Sequence, residues 1–363
     1  MKVVLVYDRV NKWGGAERDL ITLHEIFPEA PLYTSLYDAK KAPWAKVFPK
    51  VVPSFLQGIP LFPKKHEFLG TLMPLAFESF DFSGFDLVIS VTSEAAKGII
   101  TKSGTKHICI CLTPTRYLWS GYQEYFKDPL FEWISRPAVN YLRKWDKIAA
   151  QRPDELIAIS TAIQKRIKDY YKRDSIVIHP PIETERFKIN DSGLKKGDFF
   201  LVVSRLVPYK KVDLAILAFN QLGLPLVVVG VGSEEGRLKA LAKPNIEFVG
   251  ELTDEELSNY YRKATALIFP QEEDFGKVVV EANAAGTPAI CYKAGGALDT
   301  ILEGVNGIFF EKQSVASLTK AIKRFEGMKF NSQEVSASAE RFSKERFKRE
   351  FLATVNHYFK ENS

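Results

Sequence analysis

Two glutamates eight residues apart, Glu273 and Glu281, stand in the run PQEEDFGKVVVEANAAGTP between Pro270 and Pro288. The apolar residues Ala266–Phe269 read as a strand, and a helix is expected to begin near Val278. The first amides of such a helix have no partner within it, and its dipole places positive charge there. Both favour an anion, most often a phosphate. Carboxylates on either side of the Phe275-Gly276 turn can accept hydrogen bonds from hydroxyls, so a sugar and a ribose fit better than a bare phosphate. A hydrolytic carboxylate pair is the competing chemistry, and the phosphate-type setting argues against it.

A second group lies in the run VSRLVPYKK, Val203–Lys211, after an apolar strand and before a helix. Arg205 and Lys210 can both reach the C-terminal end of that strand, where open α/β sheets bind ligands. Two cations aimed at one place are costly without an anion, and a leaving diphosphate would be that anion. Gly14-Gly15-Ala16-Glu17 follows the first strand and permits close approach of backbone to phosphate or sugar, but it is no G-x-G-x-x-G fingerprint. Gly230-Val231-Gly232 also lacks the third glycine and reads as a tight turn. Gly295-Gly296-Ala297 reads equally as a turn or as a source of amides beside the site.

The elements that would position these residues alternate short apolar strands with amphipathic helices in both halves, the pattern of a parallel α/β sheet. The first half offers strands at Lys2–Tyr7, Leu32–Leu36, Leu87–Ser90, His107–Cys111, Leu156–Ile159 and Ser175–His179. Helices fit Ala16–Ile26, Glu132–Ala150 and Ala162–Tyr171. The second offers strands at Phe199–Ser204, Pro225–Val229, Ile246–Val249, Ala266–Phe269, Ala289–Cys291 and Gly307–Phe310, with Thr253 and Glu256 as a capping box for Asp254–Lys263. Amphipathic stretches near Ser314–Arg324, Gln333–Glu340 and Ser343–Phe359 follow. Paired prolines at 180 and 181, then a polar stretch near Asn190–Gly197, mark a domain boundary. Val52–Phe82, rich in Pro, Phe and Leu, fits the scheme badly. A core helix with flanking loops is favoured there over a lid or membrane-facing patch built on Lys64, Lys65 and the stripe Phe68, Leu69, Leu72, Leu75 and Ala76.

At 363 residues the chain exceeds one comfortable core, and no apolar run approaches a membrane span. The strand-like start leaves no visible signal peptide. Cys109 and Cys111 alternate along a strand, poorly placed to bridge each other, and with Cys291 read as reduced core residues of a cytoplasmic protein. The five histidines are scattered, no Cys/His set has zinc spacing and no loop resembles a calcium site, so no metal is expected. Residues 1–180 hold 25 Lys+Arg against 19 Asp+Glu and thus the whole net charge of +6. That suits an anionic membrane surface or a phosphorylated acceptor as well as it suits a plain solvated face.

The runs RLVPYKKVDLAI, EDFGKVVVEANAAGTPAI and GGALDTI, with YDRVNKWGGAE and TPTRYLW, resemble the retaining family-4 glycosyltransferases of GT-B fold. Among them the mannosyltransferases of O-antigen and polysaccharide assembly are the most similar. The resemblance implies two Rossmann-like domains facing a central cleft: an N-terminal acceptor domain over residues 1–185, completed by a C-terminal helix (343–363) crossing back, and a nucleotide-sugar domain over 190–340. It implies donor diphosphate on Arg205 and Lys210, donor-sugar hydroxyls on Glu273, and sugar and phosphate on amides around Phe275, Gly276 and Lys277. It puts ribose on Glu281, the base near Leu252, and Gly14 and Gly15 against the diphosphate. No cofactor is needed beyond the donor, for which GDP-mannose is favoured and a UDP-sugar is open. A saccharide or lipid-linked saccharide acceptor at the inner membrane face is implied, and no nucleic acid. Three positions depart from the pattern: Leu112 replaces the family's active-site histidine, Lys277 an aliphatic residue and Asp299 a glutamate. Two alternatives stay open: a weak or inactive nucleotide-sugar-binding subunit, motivated by Leu112, and a GT-B enzyme with a soluble acceptor or phosphorylase activity.

Overall fold

The computed structural model describes residues 1–59, 70–188 and 197–360, and divides into two compact units. The first comprises Met1–Pro180 with Phe347–Ser363, the second Pro181–Arg346. In the first unit seven strands form one parallel sheet: β1 (Val3–Tyr7), β2 (Leu32–Thr34), β3 (Val51–Pro53), β4 (Leu87–Thr92), β5 (Lys106–Cys111), β6 (Glu155–Ala158) and β7 (Ile176–Val177), in the order β3-β2-β1-β4-β5-β6-β7. Strands β1 and β4 are buried along their whole length, which is why they read as unbroken apolar runs rather than alternating ones. Val4, Val6 and Val88 pack with Met73, Phe77 and Phe82 into one core.

The second unit holds β8 (Phe200–Val203), β9 (Leu226–Val229), β10 (Ile246–Gly250), β11 (Leu267–Phe269), β12 (Ala289–Tyr292) and β13 (Gly307–Phe310), in the order β10-β9-β8-β11-β12-β13, all parallel. Sequential strands run outward from β8 in one direction and from β11 in the other. Between these two the winding reverses. Helix Val212–Leu222 packs Ala215, Ile216 and Phe219 against this sheet together with Leu318 and Ile322 of helix Val315–Glu326. Helix Asp254–Lys263 carries the capping box of Thr253 and Glu256. Both sheets together give the GT-B, α/β two-domain architecture.

The Val52–Phe82 segment differs in part from the sequence expectations. Val52 belongs to the edge strand β3, whose Pro53 lies at the rim where a missing amide costs little; three residues are too few for a periodic signal. Beyond it, the core helix favoured for this segment is present as the short Met73–Glu78, which buries Met73, Ala76 and Phe77 but leaves Leu75 exposed, so no continuous stripe runs to Ala76. Lys64, Lys65, Phe68 and Leu69 lie outside the described residues. So do residues 190–196 of the polar stretch. The final helix, Lys344–Lys360, belongs to the first unit from Phe347 onward. There Phe347, Phe351 and Val355 are buried, Phe351 meets Phe27 edge-on, and Lys348 pairs with Glu25 at 2.9 Å.

Candidate active site

The loops after β8 and β11 meet where the second sheet reverses its winding. After Val203 the chain is fixed by backbone bonds to the β9 loop: Ser204 N donates to Val229 O at 3.0 Å and Leu206 N to Val231 O at 2.9 Å. Gly230 and Gly232 make this fit possible. Gly230 has φ +126°, and a Cβ there would stand 1.9 Å from Ser204 O; at Gly232 it would stand 2.2 Å from Leu206 O. The tight turn expected there is a close backbone contact that seats the arginine loop.

Arg205 is exposed and its Nη2 donates to the Tyr209 hydroxyl at 2.6 Å. Lys210 ends the short turn Pro208–Lys210, and its Nζ lies 5.1 Å from the centre of the Tyr209 ring. Both cations therefore converge on Tyr209, which the sequence reading left without a role. Four-residue spacing from Arg205 was the available signal. Lys211 follows at φ +52°, a left-handed conformation that costs a side-chain-bearing residue about 1 kcal/mol.

The Lys210 ammonium contacts the Glu273 carboxylate directly, with the two side chains only 12% and 20% exposed. Glu273 is held from behind: its carbonyl accepts Gly296 N at 2.8 Å. A Cβ on Gly296 would stand 2.2 Å from Phe275 Cα, and one on Gly295 2.2 Å from Glu273 O. The Gly295-Gly296 pair is thus what allows the β12 loop to press on Glu273–Phe275. Phe275 is buried against the Phe342 ring. Gly276, at φ +90° above the Phe269 ring, begins the eight-residue helix Lys277–Ala284, one residue before the expected start. Lys277 is half-buried in its first turn.

One turn further in, Glu281 Oε2 accepts the buried Tyr261 hydroxyl at 3.0 Å. Tyr261 sits on helix Asp254–Lys263 and was not anticipated; its spacing gave no sign of a partner twenty residues away. Leu252 is half-buried after β10, beyond Gly250 at φ +74°, whose carbonyl accepts Gly230 N at 2.7 Å. Arg205, Lys210, Leu252, Glu273, Phe275, Gly276, Lys277 and Glu281 all lie on the second unit, at or beyond the C-terminal ends of its strands or on the helix that follows.

Gly14 and Gly15 belong to the first unit. Gly14 is extended and caps helix Gly15–Ile26 without a side-chain bond, and Glu17 is buried, accepting the Tyr7 hydroxyl at 2.7 Å. Burial and that carboxylate raise the Tyr7 phenol well above its ordinary pKa. Asp8 is structural, accepting Thr92 Oγ1 and the amides of Ser93, Ala95 and Ala96 at 2.7–2.9 Å. Leu112 is half-buried just past β5, its amide on Thr92 O at 2.8 Å. The TPTRYLW run after it is pinned to one carboxylate: Thr115 Oγ1 and Trp119 Nε1 donate to Asp146 at 3.0 and 2.7 Å. Cys109, Cys111 and Cys291 are free and buried, and burial pushes the Cys109 thiol up to about 11.

Residues 183–346 match the family described as Glycosyl transferases group 1. A D-inositol 3-phosphate glycosyltransferase of Acidothermus cellulolyticus is 28% identical over 222 residues, 53% of this chain and 49% of that one. A GDP-mannose-dependent alpha-mannosyltransferase of Corynebacterium glutamicum is 37% identical over 121 residues, 33% of this chain and 29% of that one. The chain spans about half the length of the curated relatives it matches over their longest stretches. A solved Anabaena structure in complex with UDP superposes with a TM-score of 0.72 at 19% identity, covering 98% of this chain and 100% of that one. The second unit, with its switch-point loops, therefore carries the match to the group 1 glycosyl transferases, on a chain whose fold is that of the GT-B glycosyltransferases.

Proposed function

We propose that this protein is a retaining, metal-independent glycosyltransferase that moves a sugar from a nucleotide-sugar to a saccharide acceptor. The observation that carries the reading is the half-buried Lys210–Glu273 pair beside Arg205, Tyr209 and the glycine-capped helix start. Lys210 and Glu273 neutralise one another, which keeps two half-buried charges tolerable. A nucleotide-sugar satisfies both at once, with its diphosphate on Lys210 and Arg205 and its sugar hydroxyls on Glu273. Amides around Phe275, Gly276 and Lys277 add donors toward the phosphate, Glu281 takes the ribose and the backbone near Leu252 the base. Gly14 and Gly15 keep a donor-binding role by resemblance.

As the sugar–phosphate bond loosens, negative charge grows on the diphosphate, where these fixed cations and amides stabilise it without reorganising. Departure and attack on the same face of an oxocarbenium-like sugar retain configuration, and a donor phosphate oxygen takes the acceptor's proton. GDP-mannose is favoured by the name of the Corynebacterium relative; a UDP-sugar is supported by the ligand in the Anabaena structure. The acceptor is assigned as a lipid-linked saccharide reached from the cytoplasmic side of an anionic membrane. Support comes from the positive surplus of the first half; no described helix is long and apolar enough to cross a membrane.

A thermal-shift panel of GDP-, UDP- and ADP-sugars, followed by transfer of labelled sugar, tests the reading. One nucleotide-sugar should raise the melting temperature and turn over. A second reading, a donor-binding subunit without transfer, is motivated by Leu112 in the histidine position. Tight donor binding with no transfer across a broad acceptor set would establish it instead.

A further inference from the structure

The helix Pro129–Ala149 has two apolar faces. One is spent within the first unit, where Val139, Leu142 and Ala149 are buried and Asp146 is locked to Lys97 at 2.6 Å. The other faces outward. Residues 130, 134, 137, 141 and 148 fall on one stripe of a helix, and they are Leu130, Ile134, Pro137, Tyr141 and Ile148, all exposed. Leu130 is 66% exposed, Ile134 60% and Ile148 61%, with Trp133 beside them at 72%. Phe131 and, just before the helix, Tyr125 extend the exposed aromatic group. Singly exposed apolar side chains are ordinary; a row along a helix of 21 residues, broken by one charged residue at Lys144, is not.

The border of this row is basic. Arg136 and Lys147 are exposed along it, Lys144 stands in the row itself, and Lys127 precedes the helix. We propose that this face, from Tyr125 to Ile148, is where the protein lies on an anionic lipid surface, with the helix in the plane of the headgroups. The inference rests on the membrane part of the proposed function, and it replaces the Val52–Phe82 segment as the contact. Three features commit it to lipid. Trp, Tyr and Phe set beside Lys and Arg are the composition of an interfacial helix, whereas protein contacts are depleted in lysine. The row lies along a single outward helix edge, which a plane can meet along about 27 Å of rise. A symmetric contact between two copies through this edge would bring the basic residues Arg136, Lys144 and Lys147 of one copy to the same edge as those of the other, an arrangement that like charges oppose.

Co-sedimentation with phosphatidylcholine vesicles, with and without phosphatidylglycerol, tests the proposal on the full chain. The native protein should bind the mixed vesicles, less so as salt rises. The combined variant Leu130→Ser, Trp133→Ser, Ile134→Ser should lose about tenfold or more of that binding, because the apolar anchor is removed. Its melting temperature and its transfer to a soluble acceptor analogue should be unchanged, as none of the three residues is in the core or the site. Separately, Lys144→Glu with Lys147→Glu should weaken binding to mixed vesicles and spare the little seen on neutral ones. Native-like vesicle binding in the triple variant overturns the assignment of this face and leaves the transferase reading standing. So does a native protein that ignores vesicles but forms dimers which the triple variant abolishes, since the face then meets a second copy. Loss of transfer to the soluble analogue by the native protein strikes the transferase reading itself, whatever the vesicles show.

Discussion

Lys210 is held between the Glu273 carboxylate and the Tyr209 ring, so its ammonium is aimed before any donor arrives. Lys210→Ala should lower kcat/KM for the nucleotide-sugar by tenfold or more, since an ionic hydrogen bond to a growing charge is lost and Glu273 is left half-buried without its partner. Steady-state kinetics check this; unchanged values would remove Lys210 from the donor site. Tyr209→Phe leaves the ring and deletes the hydroxyl that Arg205 meets, so a smaller, few-fold loss is expected in the same assay. Gly296→Ala is the backbone counterpart. Its Cβ would lie 2.2 Å from Phe275 Cα, and the Glu273–Phe275 loop must move to admit it. A drop of several degrees in melting temperature together with lost donor binding is expected; calorimetry showing neither would contradict the close contact. The glutamates and cations of this site were legible in sequence because their types and their places at strand ends are local facts. Tyr261 was not, because its hydroxyl meets Glu281 only after two helices pack.

At the scale of elements, Asp146 ties three segments together. It pairs with the buried Lys97 of the turn after β4, and accepts Thr115, Trp119 and the Tyr171 hydroxyl from the segments that follow β5 and β6. Burial alone would lower the Lys97 pKa, but the Asp146 carboxylate outweighs it and holds the ammonium above its ordinary value. Asp146→Ala leaves that ammonium buried and unpaired, at a cost of roughly 3–5 kcal/mol. Urea unfolding should show it, and a loss below 1 kcal/mol would mean that Lys97 finds water or another carboxylate. Strand β5 adds a pH dependence. His107 is fully buried with Nε2 2.8 Å from Ser90 Oγ, and burial pushes its pKa down to about 3 from an ordinary 6.5. The folded chain therefore holds it neutral while the unfolded chain takes a proton near pH 6.5. The stabilisation is complete above that pH and is lost as pH falls toward 3, by up to roughly 1.4 kcal/mol per unit. His107→Gln should flatten the decline of urea stability between pH 6.5 and 4.5; an equal slope would assign the acid sensitivity elsewhere. Of these features, the sequence showed a histidine in an apolar strand and nothing of the ion pair, whose members lie 49 residues apart.

For the whole molecule, the site's own charges bear on its chemistry. In the proposed transfer Arg205 and Lys210 supply the positive charge at the leaving diphosphate, and no group of three His, Cys, Asp or Glu side chains among the described residues could hold a metal ion. Full transfer in excess EDTA is the expected outcome. Activity that EDTA abolishes and Mg²⁺ restores would show that the cation pair does not suffice. The lopsided charge is also a whole-chain property. The first half carries the entire surplus, and the exposed row on helix Pro129–Ala149 belongs to that half.

The alternation of apolar runs with amphipathic stretches determined the α/β class by itself, because a buried parallel strand needs apolar residues on both faces and a surface helix on only one. It also placed most elements to within a residue or two, down to the capping box of Thr253 and Glu256, since capping acts over three residues. Strand β3 escaped because an edge strand of three residues ending in proline is stabilised by its neighbour and not by its own pattern. The reasons for Gly230, Gly232, Gly295 and Gly296 also came only from the tertiary structure, because each makes room for backbone from a loop elsewhere in the chain. The two apolar faces of helix Pro129–Ala149 look alike in sequence. Only packing decided which one is covered by core and which is left to the solvent, because burial depends on what arrives from the rest of the fold.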